Sequence, residues 1–508
     1  MLRRLLRGIE KESLRTRPDG TLADTPHPTA LGAALTHPHI TTDFSESQLE
    51  LITGVHDSID RCLEELTEIH QFVYQHIGDE MLWCASMPCR LPADDDIPLG
   101  QYGNSNVGRA KTVYRQGLAQ RYGRRMQTIS GIHYNFSLPE TAWPLLRQAD
   151  GYNGLARAYQ DAAYFSLIRN FRRHSWLLLY LFGASPAVCK TFVAGRAHAL
   201  HDLTCNTLYL PASTSLRMGP LGYQSEAQAA LAVSYNCLDS YARSLDGALT
   251  TPYPPYAALG IRDGQEYLQL DTTLLQIENE FYGTIRPKRP IRTGERPLHA
   301  LRERGVEYVE VRCIDLDPFC AIGITADVIR FLDVFLLHCL LSDSPRDTPN
   351  EIAAMSENQR RVAESGRDSQ LYLYRQDEEV ALRTWGGELI RECEAIAAAL
   401  DAACRSSAYR DALSDADAAL THPGLTPSAR ILSEMEQRHG NSYFHFVQLQ
   451  SLRHRDTLRA LPLEAETKAR YARMAEKSID GQRQIEAQDT LPFEDYRQRY
   501  LSPATLIA

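Results

Sequence analysis

The pattern of apolar and polar positions divides the chain into two parts. Up to about residue 345, short alternating segments mix with helical ones and with Gly/Pro turns. Beyond it the text is helical and polar: residues 392–400 are rich in alanine, and 464–487 carry dense mixed charge. Pro345 and Pro349 mark the boundary. The expected organisation is a core over 1–345 and a helical region over 346–508 packed on it. No internal repeat, low-complexity tract or flexible linker is visible. The most apolar stretch, 175–189, is too short to span a bilayer and contains Pro186, so it is expected to be a buried helix ending near that proline.

Residues two apart on a strand share a face. In 8–12, Glu10 and Glu12 point the same way. In 131–137, Ile132, Tyr134 and Phe136 form an apolar face, while His133, Asn135 and Ser137 form a polar one. In 309–313, Val309, Val311 and Cys313 oppose Glu310 and Arg312. Residues 48–51 set Glu50 opposite leucines, as a strand or a short helical turn, and 275–278 repeat the pattern with Glu278. The shared theme is a strand with one greasy face and one bearing Glu, His and Arg, as in an antiparallel sheet covered on one side. A solvated face explains any one strand. It explains the set less well, because acidic groups recur with a His and an Arg where Thr and Lys are usual.

Composition narrows the classes. With 508 residues, 44% hydrophobic and 23% charged, the chain is ordinary globular material with ample length for a core. Its net charge of −10 argues against a dedicated nucleic-acid binder. The 11 cysteines show no CxxC pair and no zinc spacing, which reads as reduced thiols in a cytoplasmic protein. The first seven residues are basic, but Glu10, Lys11 and Glu12 arrive before any apolar run, so no signal peptide is expected.

Magnesium-like cations take oxygen ligands from carboxylates, phosphates and water. Glu10, Glu12, Glu50 and Glu310 on one sheet could hold more than one such ion, with His133 as a nitrogen ligand and Arg312 as a fork for phosphate. That set suits phosphoryl transfer, although alternation alone does not make the strands neighbours. No GxxxxGK[ST], GxGxxG, HExxH or GxSxG motif offers another site.

Ordered blocks carry a resemblance. They are GIEKESLR at 8–15, ALTH at 34–37, ITTDF at 40–44, QYGNSN at 101–106, KTVYR at 111–115 and QTISGIHYNF at 127–136. LFGASPA at 181–187, TSLR at 214–217, QIENE at 276–280, IRPK at 285–288 and EYVEVR at 307–312 follow, with a thinner match, LTPSARIL, at 425–432. The sequence resembles the proteobacterial (type 1) glutamate–cysteine ligase family over most of 8–345.

The resemblance implies an α+β fold like that of glutamine synthetase. A curved antiparallel sheet forms a funnel-shaped active site, surrounded by helices, with a mainly helical C-terminal region. It implies ATP as co-substrate and Mg²⁺ (or Mn²⁺) as cofactor. ATP would phosphorylate the γ-carboxylate of glutamate, and the α-amine of cysteine would then attack the acyl phosphate in the first step of glutathione biosynthesis. Position by position, Glu10, Glu12, Asp43, Glu50, His133 and Glu310 match the metal-binding residues. Arg312 and His133 match catalytic positions, and Arg217 matches a basic residue for glutamate. Phe44, Tyr114, Leu118, Gln127, Tyr223 and Tyr282 match the cysteine pocket.

Three other readings compete. A related ligase would join glutamate to a different amine. A non-catalytic paralogue would have lost a metal ligand, and none is lost. A nucleic-acid binder would use the basic runs 121–125 and 286–292, which net acidity disfavours. The expected partners are small-molecule substrates, with no nucleic acid and no membrane, and a monomer is favoured.

Overall fold

The strand-period segments meet in one open antiparallel sheet in the computed structural model, which describes residues 2–88, 90–222, 226–229, 231–292, 294–376 and 378–507. Its strands are β1 (Leu6–Thr16), β2 (Ile40–Thr42), β3 (Gln48–Ile52), β4 (Met81–Leu82), β5 (Ile132–Ser137), β6 (Ile285–Lys288) and β7 (Tyr308–Ile314). The order is β6-β7-β5-β1-β3-β2, with β4 paired to the end of β1, and every pairing is antiparallel. Pro287 sits in β6, an edge strand, where a residue without an N–H is tolerated.

One face of the sheet is covered. Ile9, Leu49, Leu51, Tyr134, Phe136, Val309 and Val311 are buried in a single apolar cluster. Helix α1 (Ile59–Tyr74) packs on β1 and β3, and its buried Ile59, Cys62, Leu66, Ile69 and Val73 recur at helical spacing. Helix α2 (Asn106–Tyr122) meets the segment just after β2, where Arg115 bonds Asp43 O. Helix α3 (Ala156–His174) packs on β6 and β7, and α4 (Ala326–Leu341), capped by Thr325, packs on α3. The helix α4 is apolar on most sides, as its burial between α3 and later helices requires.

The chain leaves helix between Leu341 and Pro349, and the rest is mainly helical. Helices α5 (Leu382–Cys404) and α6 (Ala408–Thr421) pack on α4, and α7 (Tyr443–Ala460) packs on α1 and β4. Leu389, Leu400 and Leu413 belong to the same apolar cluster as the covered sheet face. The charged run forms α8 (Ala465–Gln488), largely exposed, with Tyr471, Ala475 and Ser478 as its buried side.

One local expectation is corrected. Residues 275–278 form no strand; a 3₁₀ turn covers Glu278–Glu280, and the alternating polar side chains point to buried partners. The apolar helix stops at Phe182, four residues before Pro186, and Ala187–Cys189 is a strand of a small second sheet. No helix of the described residues is long and apolar enough to cross a membrane. The described cysteines are free thiols.

Candidate active site

Strand register gathers the polar side chains. Glu10 lies opposite His133, Glu12 opposite Glu50, and Glu310 opposite Asn135 and Arg286. The other face therefore carries Glu10, Glu12, Glu50 and Glu310 on three strands, with His133 on the strand between β7 and β1. A register irregularity between Val311 and Ile314 bends β7 beside Arg312, whose N–H donates to Thr284 O.

His133 is the hub. Its Nδ1 is 3.2 Å from Glu10 Oε2 and 3.9 Å from Glu310 Oε1, and its Nε2 is 3.5 Å from Glu12 Oε1. Ligand atoms of Glu10, Glu50 and His133 lie within 4.8 Å of one another. Arg312 Nη1 is 3.1 Å from Glu310 Oε2 and 3.5 Å from His133 Nδ1. Lys288 Nζ donates to Glu310 Oε1 at 3.2 Å.

The electrostatics split the carboxylates. Burial, then Glu10, Asp43 and Glu12, holds Glu50 well above the usual carboxylate range. Burial likewise raises Glu12. Burial alone would raise Glu310, but Lys288 and Arg312 outweigh it and hold the group well below that range. Such crowding of acids is relieved by a cation. Asn135 donates to Glu10 Oε1 at 2.8 Å and leaves its own buried Oδ1 without a protein partner, one more oxygen on the same face. The donor set fits a hard divalent cation.

Arg217 is buried behind this floor. Its Nη2 donates to Arg312 O at 2.7 Å, and its Nη1 is 3.7 Å from Asp315 Oδ1. Asp315 is held in turn by Ser215 Oγ and Ala184 N. Gly131 makes room: a Cβ there would stand 2.1 Å from Arg217 Nη2. The Gly131 N–H also donates to Glu12 Oε2 at 2.8 Å.

The proposed acceptor residues gather beside the same face. Tyr114 and Leu118 lie on α2, and Gln127 Nε2 donates to Tyr282 OH at 2.7 Å. Burial raises the Tyr114 and Tyr282 hydroxyls, keeping them protonated. Phe44 is buried, and the charge of the adjacent Asp43 raises Glu50, Glu12 and Tyr282. Tyr223 lies outside the described residues.

Sequence reasoning assigned no role to Asn135, Arg286, Lys288 or Asp315. Three of them were signalled: Asn135 follows His133 by two, and Arg286 and Lys288 alternate on β6. Asp315 carries no pattern signal, since its partners are distant in sequence. Arg286 and Lys288 also line a cavity of about 290 Å³ whose other walls include Tyr241, Leu245, Leu298 and Tyr308. The basic run near 121 is spent internally: Arg121 is buried against Glu280, and Arg124 and Arg125 bond backbone carbonyls.

Comparisons with known proteins bear on the whole chain. The model of the glutamate-cysteine ligase family matches residues 1–362. A glutamate–cysteine ligase from Azotobacter vinelandii is 50% identical over 503 residues, 98% of this chain and 95% of that protein. One from Pseudomonas entomophila is 51% identical over 97% of this chain and 93% of that protein. The crystal structure of a glutamate–cysteine ligase from Francisella tularensis in complex with AMP superposes with a TM-score of 0.92 at 38% identity, covering 98% of this chain and 97% of that one. From its first strand to its last helices, the chain belongs to the glutamate–cysteine ligase family.

Proposed function

We propose that this chain joins the γ-carboxylate of L-glutamate to the α-amine of L-cysteine at the expense of ATP, giving γ-glutamylcysteine, ADP and phosphate. The observation that carries the reading is one sheet face with acids, His133 and Arg312 at its centre. A carboxylate is a poor electrophile. Transfer of the γ-phosphoryl group to a glutamate oxygen supplies a leaving group. The amine then forms the C–N bond, loses a proton, and phosphate departs.

Each group on this chain has a place in that sequence. Arg312 offers a guanidinium to the phosphate oxygens as charge moves between them. Lys288 reaches from the cavity wall to Glu310, and Arg286 lies opposite Glu310 on the neighbouring strand, which suits a nucleotide whose base lies among Tyr241, Leu245 and Leu298 and whose phosphates approach the acids. Arg217 supplies the cation for a glutamate carboxylate. Phe44 and Leu118 give an apolar wall for a small thiol side chain, and the hydroxyls of Tyr114, Tyr223 and Tyr282 with the Gln127 amide supply polar contacts.

Glu10, Glu12, Asp43, Glu50, His133 and Glu310 are the residues that would hold Mg²⁺ or Mn²⁺. A bound divalent cation neutralises phosphate charge and orients the transferring group. The test is phosphate release by the purified protein with ATP, Mg²⁺ and glutamate, plus cysteine or a panel of other amines, with products identified by mass. Cysteine-dependent release with γ-glutamylcysteine is expected. Release with another amine alone would overturn the acceptor, and no release at all would overturn the ligase.

A further inference from the structure

The block at 276–280 stands out in the sequence, yet neither Gln276 nor Glu280 has a role in the chemistry above. Both are nonetheless buried, at 1% exposed each. Gln276 Nε2 donates to Tyr114 O at 3.3 Å, and its Oε1 accepts from Leu270 N at 2.8 Å. Gly117 on α2 permits this approach, since a Cβ there would stand 2.1 Å from Gln276 Oε1. Glu280 Oε1 accepts from Arg121 Nη1 at 2.9 Å and from Tyr122 OH at 2.7 Å, and its Oε2 accepts from Gln276 N at 2.7 Å. The block thus grips α2 at both ends of the stretch that carries Tyr114 and Leu118.

A second set of bonds ties this grip to Tyr282. Gln228 Nε2 donates to Tyr122 OH at 3.1 Å and to Glu280 O at 2.9 Å, while its Oε1 accepts from Tyr282 N at 3.0 Å. Both amide donors have acceptors and the amide oxygen has a donor, so the orientation of the group is fixed. The Tyr122 hydroxyl joins the two sets: it donates to the carboxylate and accepts from the amide. Its ring also meets the Tyr282 ring edge-on, with centroids 5.6 Å apart. Residues 114, 118 and 122 recur every four positions and so follow one side of α2.

We propose that Tyr122 is a positioning residue for the amine acceptor, setting the separation of Tyr282 from the Tyr114 side of α2 through Glu280 and Gln228. The inference rests on the acceptor-pocket reading above. Tyr122→Phe tests it, because the ring and its contact with Tyr282 stay while the bridging hydroxyl goes. Glu280 keeps Arg121 and Gln276, so no buried charge is stranded. Gln228 keeps Glu280 O and Tyr282 N but loses its bond to α2, so the link between that helix and Tyr282 is cut.

The expected result is a KM for cysteine raised about fivefold, the factor carried by one neutral hydrogen bond. The kcat at saturating cysteine and the KM values for glutamate and ATP should stay within about twofold. Gln228→Ala should raise the cysteine KM in the same direction, and the double variant should be little worse than either single one, since both break one linkage. Equal movement of all three KM values, or an unmoved cysteine KM in both single variants, would overturn the inference while the active wild type upholds the ligase. A wild type that makes no γ-glutamylcysteine would overturn the ligase reading and this inference with it.

Discussion

Glu310 shows how single side chains set the chemistry. It is 1% exposed, yet it stays ionised because Lys288 and Arg312 each place a nitrogen within about 3.2 Å. The ion pair leaves Arg312 partly exposed toward the polar face and near His133, where a phosphate would need it. Arg312→Ala leaves Glu310 with Lys288, so no buried charge is orphaned and the fold should persist. Glu310→Gln keeps shape and hydrogen-bonding atoms. Each is expected to lower kcat by at least about 10³-fold, the scale on which preorganised charge acts in transition states, with an unchanged circular dichroism spectrum. Near-normal turnover in either variant would remove Arg312 and Glu310 from the mechanism.

At the level of elements, the site is built where β1 and β5 run side by side, and Gly131 is the position that lets Arg217 lie against them. Gly131→Ala must displace a buried guanidinium that also bonds Arg312 O. The expected outcome is a KM for glutamate raised by at least about tenfold, as one misplaced charged contact implies, with the KM for ATP moved much less. Equal shifts in both would place Arg217 elsewhere. The strand period made Glu10, Glu12, His133, Glu50 and Glu310 legible in the sequence, because a two-residue repeat states which side chains share a face. It did not state which strands adjoin; that order, β7-β5-β1-β3, follows from long-range pairing. The same period misread 275–278, where Gln276, Glu278 and Glu280 alternate to reach Tyr114, Arg296 and Tyr122 rather than to line a strand. The proposed acceptor pocket draws on a helix, a turn and loops. Tyr114 and Leu118 are four apart on α2, but that spacing does not mark a pocket, and only the resemblance named its residues.

Across the whole molecule, the polar site is tied through the sheet to the C-terminal helices. Arg7 on β1 bonds Asp333 on α4 at 2.8 Å, Tyr134 OH donates to Asp333 Oδ1 at 2.6 Å, and Tyr409 OH on α6 reaches Asp333 Oδ2 at 3.4 Å. Tyr134 lies between His133 and Asn135, so this buried cluster underlies the hub of the active face. The apolar cluster around it runs without a break from Ile9 to Leu413. The boundary near 345 therefore separates two styles of sequence, while the core is shared between them. Removing one partner of a buried ion pair costs about 3–5 kcal/mol, so Asp333→Ala should strand Arg7 and destabilise the protein by that order. Tyr409→Phe removes one hydrogen bond and should cost about 1 kcal/mol. Because the cluster spans both regions, each variant should shift a single unfolding transition reported alike by calorimetry and by loss of activity. Two separated transitions, with activity tied to one of them, would show that residues 346–508 unfold on their own and that the shared core does not couple them.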